Sequence, residues 1–178
     1  MFRGEYRGKQ RHDDDMAAVL RRSREAGVAR LFITAGSLEE SKKALQLARD
    51  LGDGVYSTVG VHPTRCGEFE SSGDADAHAE ALAAVLEDGA RDGKIAAVGE
   101  AGLDYDREEF CDAETQRRHF GRQVALAERF SLPMFLHNRN TRGDFARLVR
   151  EYLPRIPGAV VHSFTGSAEE AAELTSMG

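Results

Sequence analysis

The chain has 178 residues, of which 41% are hydrophobic, 30% charged and 7% aromatic, and a formal net charge of −6, which fits one soluble globular domain. No window approaches the ~18 uninterrupted apolar residues of a membrane span, and Met1-Phe2-Arg3-Gly4-Glu5 lacks the apolar core of a signal peptide, so no membrane partner is expected. Cys66 and Cys111 match no metal or redox spacing, which excludes a disulfide scaffold and predicts free thiols in an intracellular protein, nuclear or cytoplasmic.

Residues 13–26 read as a helix with Met16, Val19 and Leu20 inward and Gly27 beyond its end. The run 28–35 is apolar and rich in β-branched and aromatic residues, which predicts a buried strand. Ser37 and Glu40 have capping-box spacing and open a helix carrying Leu38, Ala44, Leu45, Ala48 and Leu51, with Gly52 as its stop. Residues 55–61 predict a second strand, and 75–86 a helix after the Ser71-Ser72-Gly73 turn. A strand at 95–99 precedes a helix at 115–130 with Phe120, Val124, Ala127 and Phe130 inward. A strand at 133–137 precedes a helix through Phe145, Leu148, Val149 and Tyr152. The last strand is expected at 159–164, and a second capping box, Ser167 with Glu170, opens the final helix.

One helix followed by five strand–helix units predicts an α/β fold with a parallel sheet covered by helices. An open doubly wound sheet and a closed barrel both satisfy that order. Thr34-Ala35-Gly36-Ser37 has a single glycine, which argues against a dinucleotide-binding turn after the first strand.

Charge is unevenly spread. Residues 68–114 hold 15 acidic and 3 basic side chains, whereas 115–155 hold 9 basic and 3 acidic ones, including Arg117, Arg118, Arg122, Arg139, Arg142, Arg147 and Arg150. A solvated outer face is the plainer reading of those arginines. A basic face toward a polyanion is the sharper one, since screening confines each patch to about 8–10 Å.

Four predicted strands end in a residue able to bind a metal or move a proton: His62, Glu100, His137 and His162. In parallel α/β folds the carboxyl ends of the strands form the functional rim, where imidazoles and a carboxylate suit a divalent cation. Each histidine alone reads equally as a polar strand cap, but Glu100 directly after an apolar strand is unfavourable to bury without a partner. Asp104 reads as a turn cap or as a residue orienting the neighbours of Glu100. His12, His78 and His119 fall in polar segments and are expected to be exposed.

At these positions the sequence resembles the TatD family of metal-dependent deoxyribonucleases, closest to its eukaryotic domain-containing type. The resemblance rests on Ser57-Thr58-Val59-Gly60-Val61-His62-Pro63, Val98-Gly99-Glu100-Ala101-Gly102-Leu103-Asp104, Leu132-Pro133-Met134-Phe135-Leu136-His137 and Val160-Val161-His162-Ser163-Phe164-Thr165-Gly166. It implies a TIM-type (β/α)8 barrel of the metal-dependent hydrolase superfamily and hydrolysis of DNA phosphodiester bonds by metal-activated water. By the same resemblance Glu100 is catalytic and shared between two divalent cations, Mg2+ before Mn2+ or Zn2+, with His137 and His162 as metal ligands. His62 is then expected, by the resemblance, beside the site, catalytic through water or contacting substrate phosphate; from their charge and position, and not from the resemblance, Arg65 and Arg139 are expected at phosphates of the DNA.

Set against the family pattern, the chain starts after the family's first strand and stops before its last two. Residues 1–178 are therefore expected to form a single, incomplete domain of about five β-α units, short of metal ligands and open to self-association at its sheet edges. Ala101 and Asn138 stand where relatives often carry Cys. Two alternatives accompany the nuclease: a catalytically dead fragment binding metal or DNA weakly, and an amidohydrolase-like enzyme acting on a small substrate.

Overall fold

A computed structural model describes residues 4–6 and 9–178 and divides the chain into two compact units, Met1–Leu31 and Phe32–Gly178. The first unit holds an antiparallel pair absent from the sequence reading, β1 (Glu5–Tyr6) with β2 (Lys9–Gln10), and helix α1 (Met16–Glu25). Helix α1 has no fully buried residue, so Met16, Val19 and Leu20 are half-buried and not enclosed.

The second unit is built on a five-stranded sheet whose strands lie side by side in chain order: β3 (Leu31–Ile33), β4 (Val55–Val59), β5 (Ile95–Asp104), β6 (Met134–Arg139) and β7 (Ala159–Val161). Strands β4 to β7 pair in parallel, with α2 (Leu38–Leu51), α3 (Gly67–Ser71), α4 (Ala75–Ala90), α5 (Ala113–Phe130) and α6 (Asp144–Tyr152) in the connections and α7 (Ala168–Thr175) after the last strand. A doubly wound sheet reverses its strand order at a switch point. No reversal occurs here, so of the two architectures the sequence left open this is the partial barrel.

The core forms where the strands meet the helices. Leu45 of α2, Leu82 and Leu86 of α4, Phe120 and Val124 of α5 and Phe145 of α6 close over Val59, Val98, Leu103 and Leu136 of the strands. Each such side chain stabilises the fold by roughly 1.5–3 kcal/mol when fully buried. The Ser167–Glu170 capping box is reciprocal as expected. The Ser37 box is half made: Ser37 accepts from the Glu40 N–H, but the Glu40 carboxylate turns to the N–H of Gly36.

Three expectations need correction. The predicted buried strand 28–35 shrinks to three residues, with Phe32 57% and Val28 42% exposed, and the last strand also has three, with Val160 60% exposed. Each is an edge with a neighbour on one side only, and short edges limit unwanted pairing. Short helix α3 was not foreseen. Finally, β5 and β6 run past the points where Glu100 and His137 were expected to end them, because pairing continues to Asp104 opposite Arg139.

Two glycines permit that extension. Gly99 and Gly102 have φ of 144° and 135°, and a Cβ on either would overlap the carbonyl oxygen of Phe135 or His137 across the ladder. The register shifts between Gly99 and Ala101, so Glu100 is the extra residue of a bulge. Bulges re-aim a side chain next to functional sites.

Candidate metal centre

Glu100 is the focus of the carboxyl rim. Its Oε1 lies 2.7 Å from His162 Nε2, 2.9 Å from His137 Nδ1 and 3.5 Å from His62 Nε2. Four residues from four strand regions therefore converge, as the sequence led one to expect. Backbone bonds fix them: the Glu100 N–H donates to Ala35 O at 2.9 Å, the His62 N–H to Gly36 O at 3.0 Å and the His162 N–H to Leu136 O at 3.0 Å.

Burial is the largest influence on Glu100 and works to raise its pKa. Hydrogen bonds from His137 and His162, with the nearby imidazole of His62, overcome it and hold the carboxyl down to about 2. Burial also dominates at His62 and pulls it down to about 4, against the attraction of Glu100. The pair is thus a carboxylate beside a neutral imidazole at neutral pH. Thr64 selects the tautomer of that ring: its N–H donates to His62 Nδ1 at 3.1 Å, with its hydroxyl 2.7 Å from the same nitrogen, so Nδ1 is the acceptor and the proton of the neutral ring sits on Nε2.

His137 is gripped from behind. Its Nε2–H donates to Asp104 Oδ2 at 2.9 Å, and the Asp104 side chain is wholly buried. Arg107 Nε donates to the same oxygen at 2.7 Å, and the Asp106 N–H donates to the other carboxylate oxygen at 3.1 Å. Asp104 therefore caps the turn, as the sequence favoured, and also orients His137. A carboxylate on the far nitrogen of an imidazole is the arrangement common to metal-bound histidines, in which the near nitrogen, here turned to Glu100, would be the one offered to a cation.

The donor set fits a divalent cation. One ligand atom each from His62, Glu100 and His137 lie within 4.8 Å of one another, and an ionised Glu100 beside a neutral His62 suits ligation. His162 touches Glu100 but lies outside that mutual set, whereas His62, expected beside the site, falls inside it.

The two predicted phosphate contacts separate. Arg65 lines the same cleft as His62, Glu100 and Arg107, of about 260 Å3, and pairs with Glu40 at 2.6 Å. Arg139 lines a neighbouring polar cleft of about 350 Å3 with Asn138, Arg142 and Thr165, and its Nε is held by Asp106 at 2.7 Å. Arg107 was missed by sequence reasoning; its one signal was the three-residue spacing from Asp104.

The acidic and basic blocks largely neutralise each other. Arg118 meets Glu70 at 2.7 Å, Arg129 meets Glu80 at 2.7 Å and Arg142 meets Glu108 at 3.4 Å, while Arg122 pairs with Asp76. Arg117 and Arg147 share Asp144, and Arg150 takes Glu173. All seven arginines singled out in the sequence thus carry a carboxylate partner. His119, expected to be exposed, is wholly buried, stacked on Phe69 at 4.3 Å with Nε2 2.7 Å from Glu70. It shares the inward face of α5 with Gln116, Phe120 and Gln123, a helical spacing that the polar composition concealed. His78 is half-buried, its Nε2 3.0 Å from Glu68.

A parallel β-α sheet in chain order with a histidine–carboxylate cluster on its rim is the architecture of a barrel-type metal-dependent hydrolase. The chain belongs to the TatD-related DNase family, whose model matches residues 7–178. It is 42% identical to a Schizosaccharomyces pombe protein named deoxyribonuclease Tat-D, over 100% of this chain and 57% of that protein. It is 40% identical to a 3'-5' ssDNA/RNA exonuclease TatD of Erwinia tasmaniensis, over 92% of this chain and 60% of that one. Among solved structures, a Saccharomyces cerevisiae protein described as an uncharacterized amidohydrolase superposes with a TM-score of 0.87 at 27% identity, covering 99% of this chain and 62% of that one. A TatD family hydrolase from Entamoeba histolytica gives 0.86 at 32% identity, over 99% and 58%. The chain spans about three-fifths of the length of these relatives. Among the described residues no helix is long and apolar enough to cross a membrane.

Proposed function

We propose that this chain carries the catalytic rim of a metal-dependent deoxyribonuclease that hydrolyses DNA phosphodiester bonds. The observation that carries the reading is Glu100 Oε1 within 3.5 Å of imidazole nitrogens from three separate strand regions. The names of the relatives, a deoxyribonuclease and a 3'-5' exonuclease on single-stranded DNA and RNA, supply the substrate class.

In this reading Glu100 is shared between two cations, Mg2+ before Mn2+ or Zn2+, with His137 and His162 as ligands. Glu100 Oε2 takes no hydrogen bond from a described residue and is the oxygen offered to a second ion. His62 serves either as a further ligand or as the group that positions water or phosphate, and its neutral ring suits both. Such ions, when bound, lower the pKa of attacking water and neutralise the scissile phosphate. Arg65 and Arg139 hold flanking phosphates once these displace Glu40 and Asp106. The protein acts inside the cell, in nucleus or cytoplasm, and self-association through strands β3 and β7 covers their open edges.

Cleavage of labelled single-stranded DNA by the purified chain, with Mg2+ or Mn2+ and with chelator, tests the proposal. Cleavage is expected to vanish with chelator and in Glu100→Ala; a full rate in that variant overturns the site. Two other readings rest on specific observations. The likeness to a described amidohydrolase favours a small cyclic amide or phosphoester substrate, which chromogenic esters would reveal. The pairing of Arg65 and Arg139 with carboxylates favours weak, salt-sensitive binding without turnover.

A further inference from the structure

Helix α5 carries two wholly buried glutamines, Gln116 and Gln123, on a face otherwise lined by Phe120, Val124 and Ala127. They stand seven residues apart, about two turns, and so project side by side toward the sheet. Each side-chain amide pairs in both directions with the backbone of one rim residue. Gln123 Oε1 accepts from the Val61 N–H at 2.8 Å and its Nε2 donates to Val61 O at 3.0 Å. Gln116 Oε1 accepts from the Asp104 N–H at 2.8 Å and its Nε2 donates to Asp104 O at 2.9 Å and to Cys111 O at 2.7 Å.

The placement of these clamps is specific. Val61 lies beyond the last residue of β4, is completely buried, and directly precedes His62. Asp104 is the last residue of β5 and grips His137. Val61 has left the strand ladder, and Asp104 pairs with β6 but lies beyond the last β4–β5 pair, so the buried N–H and C=O groups there need partners, and a primary amide supplies both at once. Leucine at either position would serve packing as well, and a buried amide contributes little net stability even when fully paired. What the amides add is a fixed position for two backbone segments.

We propose that Gln116 and Gln123 are positioning residues for the metal centre, Gln123 acting through Val61 on His62 and Gln116 through Asp104 on His137. One helix thereby sets both sides of the cleft. The inference rests on the metal-dependent reading of the site, and its test separates the two. Mn2+ binding to the 178-residue chain would be measured by calorimetry for the wild type, Gln116→Met and Gln123→Met, which roughly keep volume and remove all the side-chain hydrogen bonds of the glutamine, three and two respectively. Leu86→Ala, in the same core but on α4, would serve as a control for lost stability, with urea unfolding recorded for all four. Each glutamine variant is expected to bind Mn2+ roughly 10–100-fold more weakly, the scale seen when support behind a ligand is removed, while Leu86→Ala stays within about twofold. If a Met variant fails to fold, Gln123→Glu or Gln116→Glu, which keeps the acceptor and removes the donor, is measured in its place against the same expectation. Wild-type affinity in the variants, or an equal loss in Leu86→Ala, overturns the positioning role. A wild-type chain that takes up no Mn2+ overturns the metal reading and this role with it.

Discussion

His137 Nε2 lies 2.9 Å from Oδ2 of Asp104, a carboxylate with none of its side chain exposed, while the other ring nitrogen faces Glu100 at the same distance. The ring is held between two carboxylates, one on the open rim and one in the interior. The interior one is paired with Arg107, whose guanidinium meets the same oxygen.

Removal of that interior charge should therefore be felt twice. Asp104→Ala strands the His137 N–H, at about 1–3 kcal/mol for an unsatisfied buried group, and frees the partly exposed Arg107 guanidinium to solvent. Asp104→Asn keeps the shape and is expected to cost less stability than Asp104→Ala while still weakening Mn2+ binding. Urea midpoints and metal titrations of the two variants check this; equal metal affinity in Asp104→Asn and wild type would count against an orienting role.

Arg139 and Asp106 make an opposed pair of predictions. Arg139→Ala should weaken binding to single-stranded DNA and lower the salt slope by about one phosphate contact. Asp106→Ala releases Arg139 from its 2.7 Å partner and should strengthen binding and steepen the slope. Affinities measured across 50–200 mM salt decide it, and unchanged slopes in both variants remove Arg139 from the phosphate path.

The metal-free chain should lose stability on mild acidification. Burial depresses His62 to about 4, below the 6.5 it has when unfolded, so the unfolded chain takes up a proton first as pH falls. The contribution of His62 is complete above pH ~6.5 and is lost progressively toward pH 4. His119, lowered chiefly by burial, acts in the same direction. Glu100, held down to about 2, stays ionised through this window and does not oppose the loss. Urea midpoints should fall between pH 7 and 5, and less so in His62→Gln. A midpoint rising with acid would contradict the assignment.

Gly102→Ala should be among the most damaging single-methyl changes in the chain. Its φ of 135° disfavours any side chain, and the added carbon overlaps the carbonyl oxygen of His137. A loss above about 2 kcal/mol is expected, against 0.5–3 for ordinary substitutions. Ala at Gly73, also at positive φ but in open space, isolates the conformational part of that cost.

Much of the fold was legible because strand and helix periods are local. The alternation of apolar runs with helical stripes located five strands and the helices that follow them, and Ser167-x-x-Glu170 located a helix start to the residue. Exposure at the two edges was not legible: 28–35 has the composition of an interior strand, yet among the described residues β3 pairs on one side and Phe32 is open. The burial of His119 was hidden for the converse reason, since a polar residue beside Arg118 reads as surface until Phe69 stacks against it.

By itself the sequence determined that His62, Glu100, His137 and His162 belong to four successive strand regions, because apolar runs locate the strands, although β5 and β6 run on past Glu100 and His137. Tertiary structure alone decided which atoms meet. The bulge at Glu100 sets the height of its carboxylate relative to β6, the buried Asp104 decides which way His137 turns, and the amides of α5 hold the backbone under His62. It also decided that five arginines of 115–155, Arg118, Arg122, Arg129, Arg139 and Arg142, face carboxylates of 68–114, a pairing across packed helices and loops. Each of these depends on register and packing between segments tens of residues apart, and no local pattern encodes a distance between two strands.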